Sequence, residues 1–275
     1  MPFPRPSRIT SAHNPHFRAA LGLREARERR SQGRILVDGV REIGRGLDAG
    51  MIPVEAWIEE DRSAAKASGS SALLERLERA GCAVIEADAR LIERLAYGER
   101  SAGIVLVAET PRRTLSDLRL DSEPLVGIVE AVEKPGNLGA ILRSADGAGV
   151  SALLVTDPAT DIFNPNVIRA SLGTVFTVPL AVTSTADAVG WLGAGGYRIV
   201  TSRVEARTDY TDVDLTGPVA IVLGSEAEGL GDAWSGPEVA AVRLPMLGVA
   251  DSLNVSATAA ILFYEALRQR RGRQR

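Results

Sequence analysis

From residue 125 onward, apolar residues come in unbroken runs and do not alternate with polar ones. The runs are "LVGIVEAV" (125–132), "ALLVT" (152–156), "VFTVPL" (175–180), "YRIVTS" (197–202), "VAIVLG" (219–224) and "VAAVRLP" (239–245). Continuous apolar runs of this length are what strands buried on both faces of a parallel sheet require. Helical segments separate most of them, and a long one over 252–270 closes the pattern, so the chain reads as α/β layers. Ahead of them the same alternation predicts strands at 34–39, 53–60, 82–87 and 103–109, with helices at 40–48, 71–80 and 88–96. The polar, Pro-bracketed stretch 110–124 reads as a linker. The division expected is therefore 1–109, with residues 1–16 flexible, then 110–124, then 125–275.

Three stretches stand out against this background. "PGNLGAILRSA" (135–145) follows the first run and enters a helix, placing Leu138, Ile141, Leu142 and Ala145 on one buried stripe. Its glycines lack the G-x-G-x-x-G spacing of a dinucleotide fold and the spacing of a P-loop. Arg143 lies off the stripe, between Gly139 and Gly147, which leave it room. From this segment alone it reads either as a surface arginine or as one cleared to meet a polyanion. "VLGSEAEGL" (222–230) ends a buried strand in Gly-Ser-Glu, putting Glu226 at a carboxyl edge, where parallel sheets bind ligands; a helix-capping carboxylate is the other reading. In "LPMLGVADSLNVSATAA" (244–260), Ser252 is the expected N-cap of the last helix. Leu253, Ser256, Ala257 and Ala260 share a face, and Asn254 sits in the first turn with no structural duty evident.

Composition narrows the chemistry. The single Cys82 excludes a disulfide within the chain and a Cys-rich zinc site. The two histidines, His13 and His16, precede the predicted folded pattern, which disfavours a His-based triad or a His-held metal. Aromatic residues make up 4% of the chain, too few for stacking platforms to dominate. Charge is uneven: residues 1–34 hold eight Arg against Glu25 and Glu28, and 268–275 holds five Arg and no acid, while the interior is acidic. Only Lys66 and Lys134 among the basic residues are lysines. Arginine's planar fork suits phosphate, so Arg24, Arg27, Arg30 and Arg34, on a helix leading into the first domain, are candidate RNA contacts; a solvated arginine face is the competing reading. No signal core and no apolar run near ~18 residues is present, so a soluble cytoplasmic protein is expected.

Taken together, the three motifs resemble those of the SpoU/TrmH family of RNA ribose 2′-O-methyltransferases, in the SPOUT class. "IRASLGTVFTVP" (168–179) is a weaker fourth match, and residues 33–61 look like the small substrate-binding domain many members carry in front. The resemblance implies an α/β fold: a C-terminal parallel-sheet domain threaded into a deep trefoil knot, preceded by a small α/β substrate-binding domain. It further implies S-adenosylmethionine as cofactor, RNA (ribosomal RNA favoured) as substrate, a homodimer, and neither metal nor membrane. Carried over by motif, Leu223, Gly224, Ser225, Gly229, Leu244, Met246 and Leu253 would bound the cofactor pocket. Glu226, Ser252 and Asn254 would shape the site, with Asn137 and Arg143 facing ribose and phosphate. Leu244 stands where many members have Ile, a swap of little consequence. A resistance methyltransferase for ribosomal RNA, a transfer-RNA enzyme and a non-catalytic RNA-binding relative stay open; a nicotinamide oxidoreductase fails on its missing fingerprint.

Overall fold

The computed structural model describes residues 8–60, 70–97, 103–225 and 229–273, which fall into two compact units. The first comprises residues up to 111 together with 162–177; the second comprises 112–161 and 178–275.

The first unit is built on a five-stranded mixed sheet in the order β1-β4-β3-β5-β2, from β1 (Arg8–Ile9), β2 (Arg34–Asp38), β3 (Pro53–Glu59), β4 (Ala83–Ala87) and β5 (Ile104–Glu109). β5 runs antiparallel to β2 and β3, and the β1–β4 and β3–β4 pairs are parallel. The helices are α1 (Pro15–Gly22), α2 (Ala26–Gln32), α3 (Val40–Asp48), α4 (Ser71–Arg79) and α5 (Ala89–Leu95). Phe17, Leu23, Trp57, Ile85, Ile92 and Val107 form one continuous buried cluster on the α1 and α5 side. The expected flexible lead 1–16 is corrected for its described part. Residues 8 and 9 pair with β4, and Asn14 caps α1 by accepting from His16 N and Phe17 N. His16 therefore belongs to the fold, with Nε2 3.0 Å from Oε2 of buried Glu55.

Residues 162–177 also pack in the first unit, although the sequence reading counted them with 125–275. They form α7 (Pro165–Ala170) and α8 (Thr174–Thr177). Val167, Ile168, Val175 and Phe176 are buried, and Arg45 donates to the Leu172 carbonyl at 2.7 Å. An apolar stripe in the sequence does not say which sheet it covers. The expected strand at 175–180 is likewise corrected. Its first residues are helical because the hydroxyls of Ser171 and Thr174 satisfy the turn, Thr174 donating to Ser171 O and Ser171 accepting from Val175 N. Pro179, which cannot donate to a ladder, delays the strand to Leu180.

The second unit holds a seven-stranded sheet, parallel throughout, in the order β10-β12-β9-β11-β6-β7-β8. Its strands are β6 (Leu125–Glu130), β7 (Ala152–Thr156), β8 (Leu180–Thr183), β9 (Arg198–Ser202), β10 (Thr208–Asp209), β11 (Val219–Leu223) and β12 (Val239–Arg243). Flanking helices are α6 (Pro135–Ala148), α9 (Thr185–Ala194) and α10 (Val255–Arg273). Helix α6 begins with Pro135 at its first turn and ends on Gly149 at φ 68°, the asymmetry expected of Pro and Gly at helix ends. Leu138, Ile141, Leu142 and Ala145 are all fully buried, as the stripe required. The face expected for the last helix is corrected: Thr258, Ala259, Leu262, Phe263 and Ala266 are its buried side, while Leu253 and Ala257 are exposed. Phe263 fits because Gly127 of β6 carries no side chain; a Cβ there would lie 2.7 Å from its Cζ.

Candidate active site

Because every strand of the second sheet is parallel, the carboxyl ends lie along one edge, and there a cavity of about 560 Å³ opens. That volume is within the ~300–1,000 Å³ usual for small-molecule sites. Three chain segments line it: residues 202–205 after β9, residues 223–225 with 229–230 after β11, and residues 252–255 with Thr258 at the start of α10.

The middle segment is a turn closed on itself. Ser225 N donates to Gly229 O at 3.1 Å and Gly229 N returns to Ser225 O at 3.2 Å, with Gly229 at φ 69°. Gly224 presses against this closure: a Cβ on it would lie 2.3 Å from the Gly229 carbonyl and 2.7 Å from Leu230 N. Those are backbone atoms with nowhere to go, so only glycine permits the approach.

The chain beyond the turn is held from two sides. Glu130, the last residue of β6, accepts from Gly231 N at 3.1 Å, Trp234 Nε1 at 2.8 Å and Thr185 Oγ1 at 2.9 Å. Arg203 donates through Nη1 to Leu230 O, and through Nη2 to Gly231 O, Trp234 O and Ser235 Oγ, at 3.2–3.3 Å. Directly after Glu130, Ala131 takes a left-handed φ of 48° with its N–H bonded to Thr156 O at 2.9 Å. This conformation, costing roughly 1–2 kcal/mol in an L-residue, starts the loop into α6.

Helix α6 brings Asn137 to a narrow crevice that shares Gly224, Ser225 and Val255 with the cavity. Asn254 reaches it from α10, its Nδ2 3.2 Å from Asn137 Oδ1. The same Asn254 accepts through Oδ1 from Ser256 N at 2.9 Å and Ser256 Oγ at 2.7 Å, and its carbonyl accepts from Ala257 N and Thr258 N. It is thus the N-cap of α10, the duty assigned to Ser252 on sequence. Ser252 precedes the helix by three residues and lines the cavity instead. Arg143 projects from α6 into solvent with no hydrogen bond or ion pair among the described residues. The space thought to be cleared around it is corrected: Gly139 is buried, and Gly147 makes room for Tyr264, whose hydroxyl would lie 2.7 Å from a Cβ there.

Of the residues singled out on sequence, Leu223, Gly224, Ser225, Gly229, Ser252, Leu253 and Asn254 line one cavity, and Asn137 its adjoining crevice. Leu244 and Met246 are half-buried on the loop after β12 and are not among the lining residues. Glu226 lies outside the described residues. Sequence reasoning missed residues 202–205 and Thr258 at the cavity, and Glu130 behind it. A strand ending at Ser202 on the edge already marked by Leu223 was the available signal for the first group. Among the described residues no group of three or more His, Cys, Asp or Glu is placed to hold a metal ion.

In the first unit, Arg27 and Arg30 are exposed on α2. Arg24 lies 4.4 Å over the Tyr97 ring and donates to Arg94 O. Arg34, at the start of β2 and not on the helix, has its guanidinium 3.8 Å from Glu55. Arg29 is buried, donating to the carbonyls of Leu23 and Arg24.

An all-parallel α/β unit with a carboxyl-edge cavity walled by Gly224, Gly229 and Asn254, and with Asn137 in the adjoining crevice, is a ligand-binding domain of the open α/β class. Residues 124–264 match the SpoU rRNA Methylase family and residues 14–106 the MRM3-like substrate binding domain, and the chain belongs to the SpoU rRNA methylase family. It is 32% identical over 276 residues to the 23S rRNA (uridine(2479)-2′-O)-methyltransferase of Streptomyces viridochromogenes, covering 97% of this chain and 94% of that protein. A crystal structure of an RNA 2′-O ribose methyltransferase superposes with a TM-score of 0.80 at 38% identity, over 95% of this chain and 98% of the other. The AdoMet-bound rRNA methyltransferase from Sinorhizobium meliloti gives a TM-score of 0.86 at 26% identity, over 95% and 97%.

Proposed function

We infer that this chain is an S-adenosylmethionine-dependent methyltransferase acting on ribose 2′-hydroxyls of ribosomal RNA. The observation that carries this is the convergence of the second and third sequence motifs on one carboxyl-edge cavity and of the first on its adjoining crevice, with Asn137 of the first meeting Asn254 of the third.

The cavity fits the cofactor in size and in kind. Backbone at Gly224, Ser225 and Gly229 and of residues 252–254 would hold it, and Gly224 lets Gly229 approach without a side chain in the way. When bound, S-adenosylmethionine supplies an activated methyl group on a sulfonium. What remains for the protein is alignment and charge. Asn137, oriented by Asn254, offers an amide to the ribose. Arg143 has its whole fork free to clamp the neighbouring phosphate and to stabilise negative charge growing on the ribose oxygen. Arg143 thus acts as a cation that binds and stabilises charge, and not as a base.

The deep trefoil knot, the homodimer and a cytoplasmic setting belong to this reading. Support for a dimer comes from Leu247 and Val249, fully exposed on the loop after β12, and from half-exposed Tyr264; a second copy would remove them from water. Among the described residues no helix is long and apolar enough to cross a membrane. Exposed Arg27 and Arg30 are free to meet RNA phosphates, and Ser252 and Leu253 complete the cofactor side.

The test is methyl transfer from labelled S-adenosylmethionine to ribosomal and transfer RNA from cells lacking the gene, with mapping of 2′-O-methyl positions. Label at a ribose of ribosomal RNA is expected. No label together with no cofactor binding would overturn the reading.

A further inference from the structure

Glu130 lies outside all three motifs and outside the cavity lining, yet it carries the cavity's rear support. Its carboxylate meets three donors and no acceptor but a hydroxyl: the Gly231 N–H, the Trp234 indole N–H and the Thr185 hydroxyl. Trp234 is fully buried, so that end is anchored in the core of the second unit. Gly231 is two residues past Gly229, so fixing its N–H fixes the exit of the self-closed turn. Arg203 takes the carbonyls of the same stretch, so N–H groups and C=O groups are both occupied.

We propose that Glu130 is a positioning residue for the cofactor: it keeps Gly229 and Leu230, which line the cavity, in their ligand-ready position by holding Gly231 and Trp234, with Arg203 as the opposing grip. The proposal rests on the cavity being the S-adenosylmethionine site. An ionised carboxylate is needed because it accepts on every side. Glutamine, nearly the same in shape, cannot substitute. With its NH₂ at the Oε2 position it faces the Gly231 N–H; with its NH₂ at the Oε1 position it faces the Trp234 indole N–H. Either way one donor meets another donor: in the first case the exposed Gly231 N–H exchanges its carboxylate for water and its backbone is released, in the second the buried Trp234 indole N–H loses its partner. Glu130 is also followed by the left-handed Ala131 that opens the loop to α6, so the residue stands between the cofactor turn and the helix bearing Asn137 and Arg143.

The experiment compares wild type, Glu130→Gln and Arg203→Lys by calorimetric titration with S-adenosylmethionine. It adds methyl-transfer kinetics on ribosomal RNA and amide hydrogen exchange across 229–235 in the ligand-free protein. Glu130→Gln is expected to weaken cofactor affinity about tenfold or more, the loss that follows a broken hydrogen bond to a charged acceptor. KM for the cofactor should rise, KM for RNA stay level, and 229–235 exchange faster. A residue of merely structural importance would lower the active fraction, and with it kcat, leaving the cofactor KM unchanged. Cofactor binding by Glu130→Gln within twofold of wild type, with unchanged exchange, would overturn the proposal. A wild type that takes up no S-adenosylmethionine would remove the cofactor reading instead, while exchange would still decide whether Glu130 holds the segment. Glu130→Asp, which keeps the charge on a stem one methylene shorter, should fall between wild type and Glu130→Gln.

Discussion

The Nδ2 of Asn254 lies 3.2 Å from the Oδ1 of Asn137, joining the first turn of α10 to the first turn of α6 across 117 positions of sequence. One amide thereby does two jobs, since its oxygen caps its own helix through Ser256 while its nitrogen orients the asparagine beside the cavity. Capping and alignment can be separated by substitution.

Asn254→Ala removes both and should cost about 1 kcal/mol of stability, the usual loss for an N-cap, along with methyl transfer. Asn254→Asp keeps the acceptor and loses the donor. Its thermal midpoint should stay near wild type while turnover on ribosomal RNA falls sharply; equal turnover would show that the Asn137 contact is dispensable.

Gly224→Ala introduces a Cβ 2.3 Å from the Gly229 carbonyl, where the obstacle is backbone. Relief requires opening the 225–229 turn, so a loss of about 1–3 kcal/mol is expected, with cofactor affinity falling further than stability alone explains. Paired calorimetry and thermal denaturation check this.

Arg143→Ala removes an exposed side chain with no partner among the described residues. Stability should change by no more than about 0.5 kcal/mol, and cofactor binding should persist while methyl transfer is abolished. Single-turnover assays with bound cofactor make the distinction; a fold destabilised by this change would argue against the assignment.

Acid sensitivity has an identifiable contributor. Asp214 accepts from the Thr216 hydroxyl and backbone N–H and pairs with Arg198, which together lower its pKa from 3.8 to about 2. The folded state binds the proton less readily than the unfolded chain, so the stabilisation is complete above about pH 4 and is lost as pH falls toward 2. Wild type should therefore lose stability more steeply than Asp214→Asn across that window, as measured by denaturant unfolding at stepped pH. Parallel slopes would remove Asp214 from the account.

Much was legible in the sequence for physical reasons. Unbroken apolar runs such as 219–224 can be satisfied only by burial on both faces, so a parallel sheet followed, and with it a ligand edge at the carboxyl ends. Short-range pattern also located the α6 stripe, because helical periodicity is a property of neighbouring residues. The motif residues Gly224, Ser225, Gly229 and Asn254 were readable because their spacing is local to one strand end or one helix start.

What only the tertiary structure decided involves partners far apart in the chain. Residues 162–177 are apolar whichever sheet they cover, and their packing in the first unit depends on contacts such as Arg45 with Leu172. Glu130 looks like an ordinary strand-end acid until Gly231 and Trp234, about a hundred positions away, bring their donors to it. Gly147 reads as space for Arg143 until Tyr264 occupies it. Sequence periodicity located the buried face of α6, whose apolar stripe is regular, but not that of α10, where small residues lie on several faces and the packing against Gly127 selected Phe263. Which group satisfies a half-buried carboxylate or fills a gap follows from the folding of distant segments onto one another, and no local pattern encodes it.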